Sequence, residues 1–159
     1  MKKLRLLILS FIILLAGCSP ILLDQVYDSA GLKITVEDVF YSRDSSGIKI
    51  VDSSTGANII VAKIKFDNKS GSSKYISPSH IALINGSTQF DCKFYYSQQY
   101  TPEIVAFKAN ENKNISNNVI HTIYFVFESS NALLSNDYKI VGAGIDYDFS
   151  VIFTLSDIR

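Results

Sequence analysis

The chain has 159 residues, 47% hydrophobic, 12% aromatic and 19% charged, a balance that fills one globular core and argues against disorder. Fifteen basic residues cancel fifteen acidic ones, and neither sign runs in a block; this argues against nucleic-acid binding, which needs a basic face. If Lys2, Lys3 and Arg5 leave with an export signal, twelve basic residues stand against fifteen acidic ones and the mature chain carries a charge of about −3.

The first twenty residues, MKKLRLLILSFIILLAGCSP, place a short basic stretch before Leu6 to Ala16, eleven residues that are apolar except for Ser10. That length suits a cleaved signal and falls short of a spanning helix. Extending the count to Leu23 gives eighteen uncharged residues, enough for an uncleaved membrane anchor, but Pro20 and the small Gly17-Cys18-Ser19 step weaken that reading. Leu15-Ala16-Gly17-Cys18 resembles the lipobox of bacterial lipoproteins. The resemblance implies cleavage after Gly17, acylation of Cys18 and a membrane-anchored, extracytoplasmic protein. Ser19, where an aspartate commonly signals inner-membrane retention, favours the outer membrane in an organism that has one. The expected division is a signal peptide over 1–17, a lipidated cysteine and tether over 18–30, and one domain over 31–159. A lipidated Cys18 leaves Cys92 as the only thiol in the exported domain, which makes it a partner for an intermolecular bridge, a reactive thiol or, as the strand pattern favours, a small buried hydrophobe.

From Gly31 onward the hydrophobic period is two. Leu32, Ile34 and Val36 alternate with polar neighbours, and after a Ser, Asp and Gly-rich loop around Ile48-Lys49-Ile50-Val51 the pattern returns at Asn58 to Phe66. Asp67 to Ser73 reads as a polar turn. Asn85-Gly86 reads as a type I′ hairpin turn, because both residues tolerate positive φ. A two-residue loop there sets Ile84 opposite Ser87 and His80 opposite Asp91. Ile81, Leu83, Phe90, Cys92 and Phe94 then share the apolar side, with Tyr96 pointing the same way, while Gln89, Asp91, Lys93 and Tyr95 share the polar side. A long loop runs from about Ser97 to Asn118. Val119 to Phe127 is apolar on both faces and belongs mid-sheet. Ser130 to Leu134 suits one helical turn, Tyr138 to Val141 a short strand and Gly142-Ala143-Gly144 a turn. Tyr147, Phe149, Val151, Phe153 and Leu155 then line one face of a last strand.

About seven strands, polar turns and no long amphipathic helix predict an all-β chain folded as an antiparallel β-sandwich. The opening ITVEDVFYS, the segment IIVAKIKFDNKSGSSKYISPSHIALI and the late TIYFVFESSNA with its following YKI strand resemble the immunoglobulin-like domains of unknown function found in bacterial lipoproteins and in a secreted immunoprotective antigen. The similarity covers roughly Leu32 to Leu155. It departs from the usual pattern where Glu111-Asn112-Lys113-Asn114 replaces a Pro-Gly turn. What it implies is an extracytoplasmic immunoglobulin-like sandwich with no assigned catalytic site.

The chemistry-bearing residues are few. His80 and His121 show no ligand spacing with Cys92, so no metal site is expected; His80 suits a cross-strand pair with Asp91, and His121 an edge-of-core position. Asp146 and Asp148 bring two carboxylates together, too few for calcium, which takes six to eight oxygens. There is no glycine-rich phosphate loop and no G-x-S-x-G elbow, so neither a cofactor nor an enzyme is expected. Asn68-Lys69-Ser70, Asn85-Gly86-Ser87 and Asn114-Ile115-Ser116 match the glycosylation pattern by chance. Tyr95, Gln98, Gln99 and Tyr100 cluster rings and amides at a strand end, a combination that suits a protein interface or a sugar face; the competing reading makes these tyrosines cover for the core. The functional expectation is a lipid-anchored, non-enzymatic interaction module of the cell envelope with an envelope protein as partner, or alternatively a module binding a glycan or peptidoglycan fragment.

Overall fold

The structure, a computed structural model, describes residues 21–41, 58–98, 105–108, 111–129 and 137–158. The signal segment with Cys18, the Ile48 to Val51 extension, Gln99, Tyr100 and the turn at 130–134 lie outside the described residues. The described strands are β1 (Ile21–Leu22), β2 (Val26–Ser29), β3 (Leu32–Tyr41), β4 (Asn58–Asn68), β5 (Lys74–Ile76), β6 (Ile81–Asn85), β7 (Thr88–Gln98), β8 (Val105–Lys108), β9 (Lys113–Ile115), β10 (Ile120–Ser129), β11 (Asp137–Ala143) and β12 (Asp148–Thr154). Single 3-10 turns occupy Pro78–His80 and Leu155–Asp157.

The chain is an all-β sandwich with more strands than the seven expected. The excess comes from short pieces whose two to four residues are too few to show a period: β1, β2, β5, β8 and β9. Hydrogen bonding runs along the path β1-β12-β11-β6-β7-β10-β4-β3-β2, with β8 also on β7 and with β5 paired to β9 apart from it. One strand joins the two layers. The first part of β7 pairs with β6, from Thr88 opposite Asn85 to Asp91 opposite Ala82. Its second part pairs with β10 and β8. Between the layers lies one core in which Phe66, Phe125, Tyr138 and Phe153 are fully buried, each such side chain contributing roughly 1.5–3 kcal/mol through the area it removes from water. β10 runs mid-sheet between β4 and β7, as its two apolar faces predicted.

The segment expected to be a tether is instead part of the sandwich from Ile21 on. β1 pairs in parallel with β12, the one parallel strand pair among the described residues. β2 folds antiparallel onto β3 through Ala30 and Gly31, whose φ values of 49° and 84° are those of a type I′ turn. An alanine in that conformation is uncommon, and the segment's lack of a period hid a strand only four residues long. Together with a bridge from Val39 to Ile158, this segment closes one side of the sandwich.

Two bulges reset the alternation. On β3 the register passes from Val36 opposite Ile64 to Asp38 opposite Lys63, leaving Glu37 unopposed, and the buried positions change from Leu32, Ile34 and Val36 to Val39. Glu37 meets Lys63 at 2.9 Å and Lys65 at 3.0 Å. Burial raises its pKa, but the hydrogen bonds from the two lysines outweigh burial and hold it below the usual value. On β7, Cys92 stands opposite Phe127 and Phe94 opposite Val126, so Lys93 is the extra residue.

The hairpin register also differs from the expected one. The two-residue loop is Gly86-Ser87, with Asn85 opposite Thr88, and only Gly86 has positive φ (57°), the pattern of a type II′ turn. Asp91 therefore faces Ala82, and His80 sits in the Pro78–His80 turn rather than opposite Asp91. The displacement is an even number of positions, so the faces are preserved up to the bulge and Cys92 is buried, 4% exposed, in the main core. Beyond the bulge they are reversed. Tyr95 holds the register position opposite buried Phe125, and Tyr96 the position opposite half-buried Tyr124, the opposite of what unbroken alternation predicts.

At one end of the sandwich the side chain of Asn68, fully buried, ties two turns together. Its amide nitrogen donates to the carbonyls of Ser72 and Ile115, both at 2.8 Å. Its oxygen accepts from the Ser70 amide at 3.1 Å and the Ser70 hydroxyl at 2.7 Å. The backbone of Asn68 donates to Val119 and accepts from Asn118. The amide of this N-x-S triplet is fully occupied inside the fold, which leaves it no room for a glycan. Truncation to alanine removes the side-chain partner of the Ile115 carbonyl and the Ser70 amide, while the Ser70 hydroxyl and the Ser72 carbonyl keep each other at 3.1 Å. It should cost about 1–3 kcal/mol. Urea unfolding of Asn68→Ala checks this, with the midpoint falling and the slope unchanged.

His121 is buried on the core face of β10 opposite Phe66, and its Nδ1 has no hydrogen-bond partner among the described residues. Burial lowers its pKa below the ordinary 6.5, and the charge of Lys113 adds to the effect. Below about pH 6.5 the unfolded chain therefore binds a proton that the folded chain refuses, so stability falls with pH through this window. A series of melts from pH 7 to pH 5 should show the decline in the wild type and a flatter profile in His121→Phe; equal slopes would remove His121 as the cause.

Candidate functional site

The knotted end of the sandwich also carries a cleft. Two glycines shape the hairpin that forms one wall, Gly144 in the lining and Gly142 behind it. Gly142 stands opposite Phe149, and a Cβ on it would come within 2.3 Å of the ring; a Cβ on Gly144 would come within 2.6 Å of the Tyr147 ring. Only glycine leaves room for both rings. The turn expected at Gly142-Ala143-Gly144 is displaced accordingly: β11 runs on to Ala143, and the amide of Gly144 donates to the carbonyl of Tyr147 at 2.7 Å. Ile145 and Asp146 are left at the tip of the β11–β12 hairpin.

That tip is stapled to the segment after Asn68. The Tyr147 hydroxyl donates to the Ser77 carbonyl at 2.8 Å and accepts from the Ser77 amide at 3.1 Å. Burial pushes this phenol up to about 12; the Ser77 backbone bond works against the rise and Asp146 adds to it. The hydroxyl therefore stays protonated through the ordinary pH range. Asp146 accepts from the Tyr75 amide at 3.1 Å and meets the Lys74 ammonium at 3.4 Å. The walls of the resulting cleft, about 270 Å³, come from Tyr75, Ser77, His80, Asn112 and the Gly144 to Tyr147 turn. Tyr75 is 57% exposed at the rim and Ile145 at the tip fully so (102%).

Chemically the arrangement offers an aromatic surface, an imidazole, an amide and an exposed aliphatic tip. Its carboxylate and phenol are committed to holding the fold. Of the residues singled out in the sequence, Asp146 and His80 border the cleft, each in a role other than the expected one. Asp148 is exposed at the start of β12, opposite Ala143, and pairs with no second carboxylate. No group of three His, Cys, Asp or Glu able to hold a metal ion occurs among the described residues. Tyr95 and Gln98 lie on β7, opposite Phe125 and Thr122, while Gln99 and Tyr100 fall outside the described residues. Tyr75, Ser77 and Tyr147 were missed as site residues. The available signal was the two small residues Gly142 and Gly144 facing the aromatic pair Tyr147 and Phe149 across a hairpin.

No protein-family model matches the chain, and no curated protein matches its sequence. Solved structures share its fold. A β-sandwich protein from Clostridium difficile superposes with a TM-score of 0.58 at 9% identity, covering 86% of this chain and 94% of that one. A secreted protein from Mycobacterium tuberculosis gives 0.55 at 14% identity, covering 87% and 99%. A Bacillus subtilis protein provisionally described as a lipoprotein gives 0.54 at 11% identity, covering 84% of this chain and 39% of that longer one. At these identities the likeness is one of fold, and it establishes the β-sandwich.

If the staple orders the cleft, Tyr147→Phe leaves the Ser77 amide and carbonyl without their side-chain partner and costs about 1–3 kcal/mol. Thermal unfolding measures the loss. An unchanged midpoint would mean that water replaces the hydroxyl without penalty.

Proposed function

We propose that this chain is a lipoprotein anchored through Cys18 on the outer side of a membrane, the outer one where the envelope has two, and that its immunoglobulin-like sandwich is a non-enzymatic interaction module for another envelope component. The observation that carries the module reading is the cleft itself: its carboxylate Asp146 and its buried phenol Tyr147 are tied to Lys74, Tyr75 and Ser77, while the Tyr75 ring, the His80 imidazole and Ile145 are exposed to make contacts. Exposed aromatic rings beside small polar groups are typical of contact surfaces. The Leu15 to Cys18 run supports the anchor, and likeness in fold to a secreted protein and to a provisional lipoprotein is consistent with an extracytoplasmic place. The Tyr95, Gln98, Gln99 and Tyr100 stretch remains a second candidate surface. The exposed Tyr75 ring also favours the glycan alternative, since a flat ring edged by Asn112 and His80 suits a sugar face.

Two readouts test the proposal. Intact mass of the wild type should show residues 1–17 removed and acyl chains added, whereas Cys18→Ser should keep Met1 and lack the lipid; a wild type that retains Met1 and carries no lipid contradicts the anchor. A photo-crosslinker at Tyr75 should capture a discrete envelope component in cells. Tyr75→Ala with His80→Ala should weaken binding of that component about fivefold or more at an unchanged melting midpoint. Muropeptide or glycan capture in place of a protein selects the glycan reading, and no capture at all contradicts the cleft as the contact site.

A further inference from the structure

The N-terminal strand has a direction, and with it the membrane anchor has an address on the domain. β1 pairs in parallel with β12, Ile21 opposite Val151 and Leu22 opposite Ile152. Traced backwards, the chain at Ile21 therefore points toward the Asp148 end of β12, the end that carries the β11–β12 tip. Cys18 precedes Ile21 by three residues, so its Cα lies within about 11 Å of that of Ile21 whatever path the chain takes. Val151 is itself three residues from Asp148, about 10 Å along a strand. A lipid chain on Cys18 is thus held within reach of the cleft end by a linker of only three residues.

Surface composition agrees. Among the described residues the exposed large apolar side chains are Leu22, Val26, Tyr75, Ile120 and Ile145. Ile145 is the hairpin tip, Tyr75 the cleft rim, and Ile120 opens β10 opposite Asp67, beside the Asn68 knot. Leu22 and Val26 lie along the side edge of the sandwich, opposite Ile152 and Thr35 in mid-strand. Among the described residues of the opposite end, the turn reads Gly86-Ser87-Thr88, and Asp137, Thr154, Ser156 and Asp157 around it are polar and exposed. A tyrosine ring with an exposed aliphatic neighbour is the pair that settles at the headgroup boundary.

We infer that the bilayer surface covers the cleft end, with Ile145 inserted at the tip and Tyr75 at headgroup level, so that the domain lies on the membrane by its knotted end rather than standing off it. This rests on the anchoring reading above and adds an orientation to it; whatever the cleft binds is then met at the membrane surface.

The chain contains no tryptophan, which makes a single one a clean depth probe. Processed full-length Ile145→Trp, Tyr75→Trp and Ser87→Trp proteins are reconstituted into phosphatidylethanolamine and phosphatidylglycerol vesicles containing a doxyl-labelled phosphatidylcholine, and each variant is checked for a wild-type melt. The expected result is co-flotation of all three, a blue shift and loss of emission for Ile145→Trp and Tyr75→Trp, and unquenched, water-like emission for Ser87→Trp. Co-flotation with Ile145→Trp and Tyr75→Trp no more quenched than Ser87→Trp overturns the orientation and leaves the anchor standing. Failure to co-float, with no acyl mass on the protein, overturns the anchor and the orientation with it.

Discussion

The buried amide of Asn68 is the constraint on which one end of this molecule depends. A primary amide has two N–H donors and an oxygen with two lone pairs, and this one uses all four in bonds to Ser70, Ser72 and Ile115. The result is that the turn leaving β4 and the turn entering β10 cannot move independently. Both lead directly to the paired strands β5 and β9, which lie off the main hydrogen-bonded path. Without the knot, three-residue strands would be too short to persist on their own.

The cleft inherits its rigidity from that knot. β5 delivers Tyr75 and, just beyond its last residue, Ser77; these are the groups that receive Asp146 and Tyr147 from the β11–β12 hairpin. On the far side the same hairpin is fixed by rings seated on Gly142 and Gly144, positions where any side chain would strike Phe149 or Tyr147. A backbone held at both roots leaves its tip, Ile145, projecting with none of the described residues over it. Exposing such a side chain to water is unfavourable, and contact with a bilayer or a partner removes that cost. The parallel pairing of β1 with β12 starts the described chain on the side of Ile21 that faces the same end.

Much of the fold was legible because period-two alternation survives wherever a strand has one wet face. β12, with Phe149, Val151 and Phe153 buried between exposed neighbours, and β4 behaved as read, and the doubly apolar β10 was placed mid-sheet. Burial of Cys92 followed even though the turn was displaced, because a shift by an even number of positions preserves faces. The bulges at Glu37 and Lys93 were not legible, since an inserted residue leaves no compositional mark and its effect is only a change of phase. The consequence is the register position of Tyr95, which stands opposite Phe125. The cleft was hidden for a different reason: its walls come from segments about seventy residues apart, joined by backbone and side-chain hydrogen bonds that no local pattern records.

If the Asn68 amide and the Tyr147 hydroxyl hold their turns as their bonds imply, the cleft end is as rigid as the core, although it is built of turns. Native-state amide hydrogen exchange resolved by residue tests this most directly. The amides of Asn68, Asn118 and Ser77, which donate to Val119, Asn68 and the Tyr147 hydroxyl, should exchange as slowly as those of Ile64 and Ile123 in the central strands. Exchange of these three at the rate of the exposed Ser87 turn would contradict it, leaving a flexible end that could neither shape a cleft nor present Ile145 in a fixed direction.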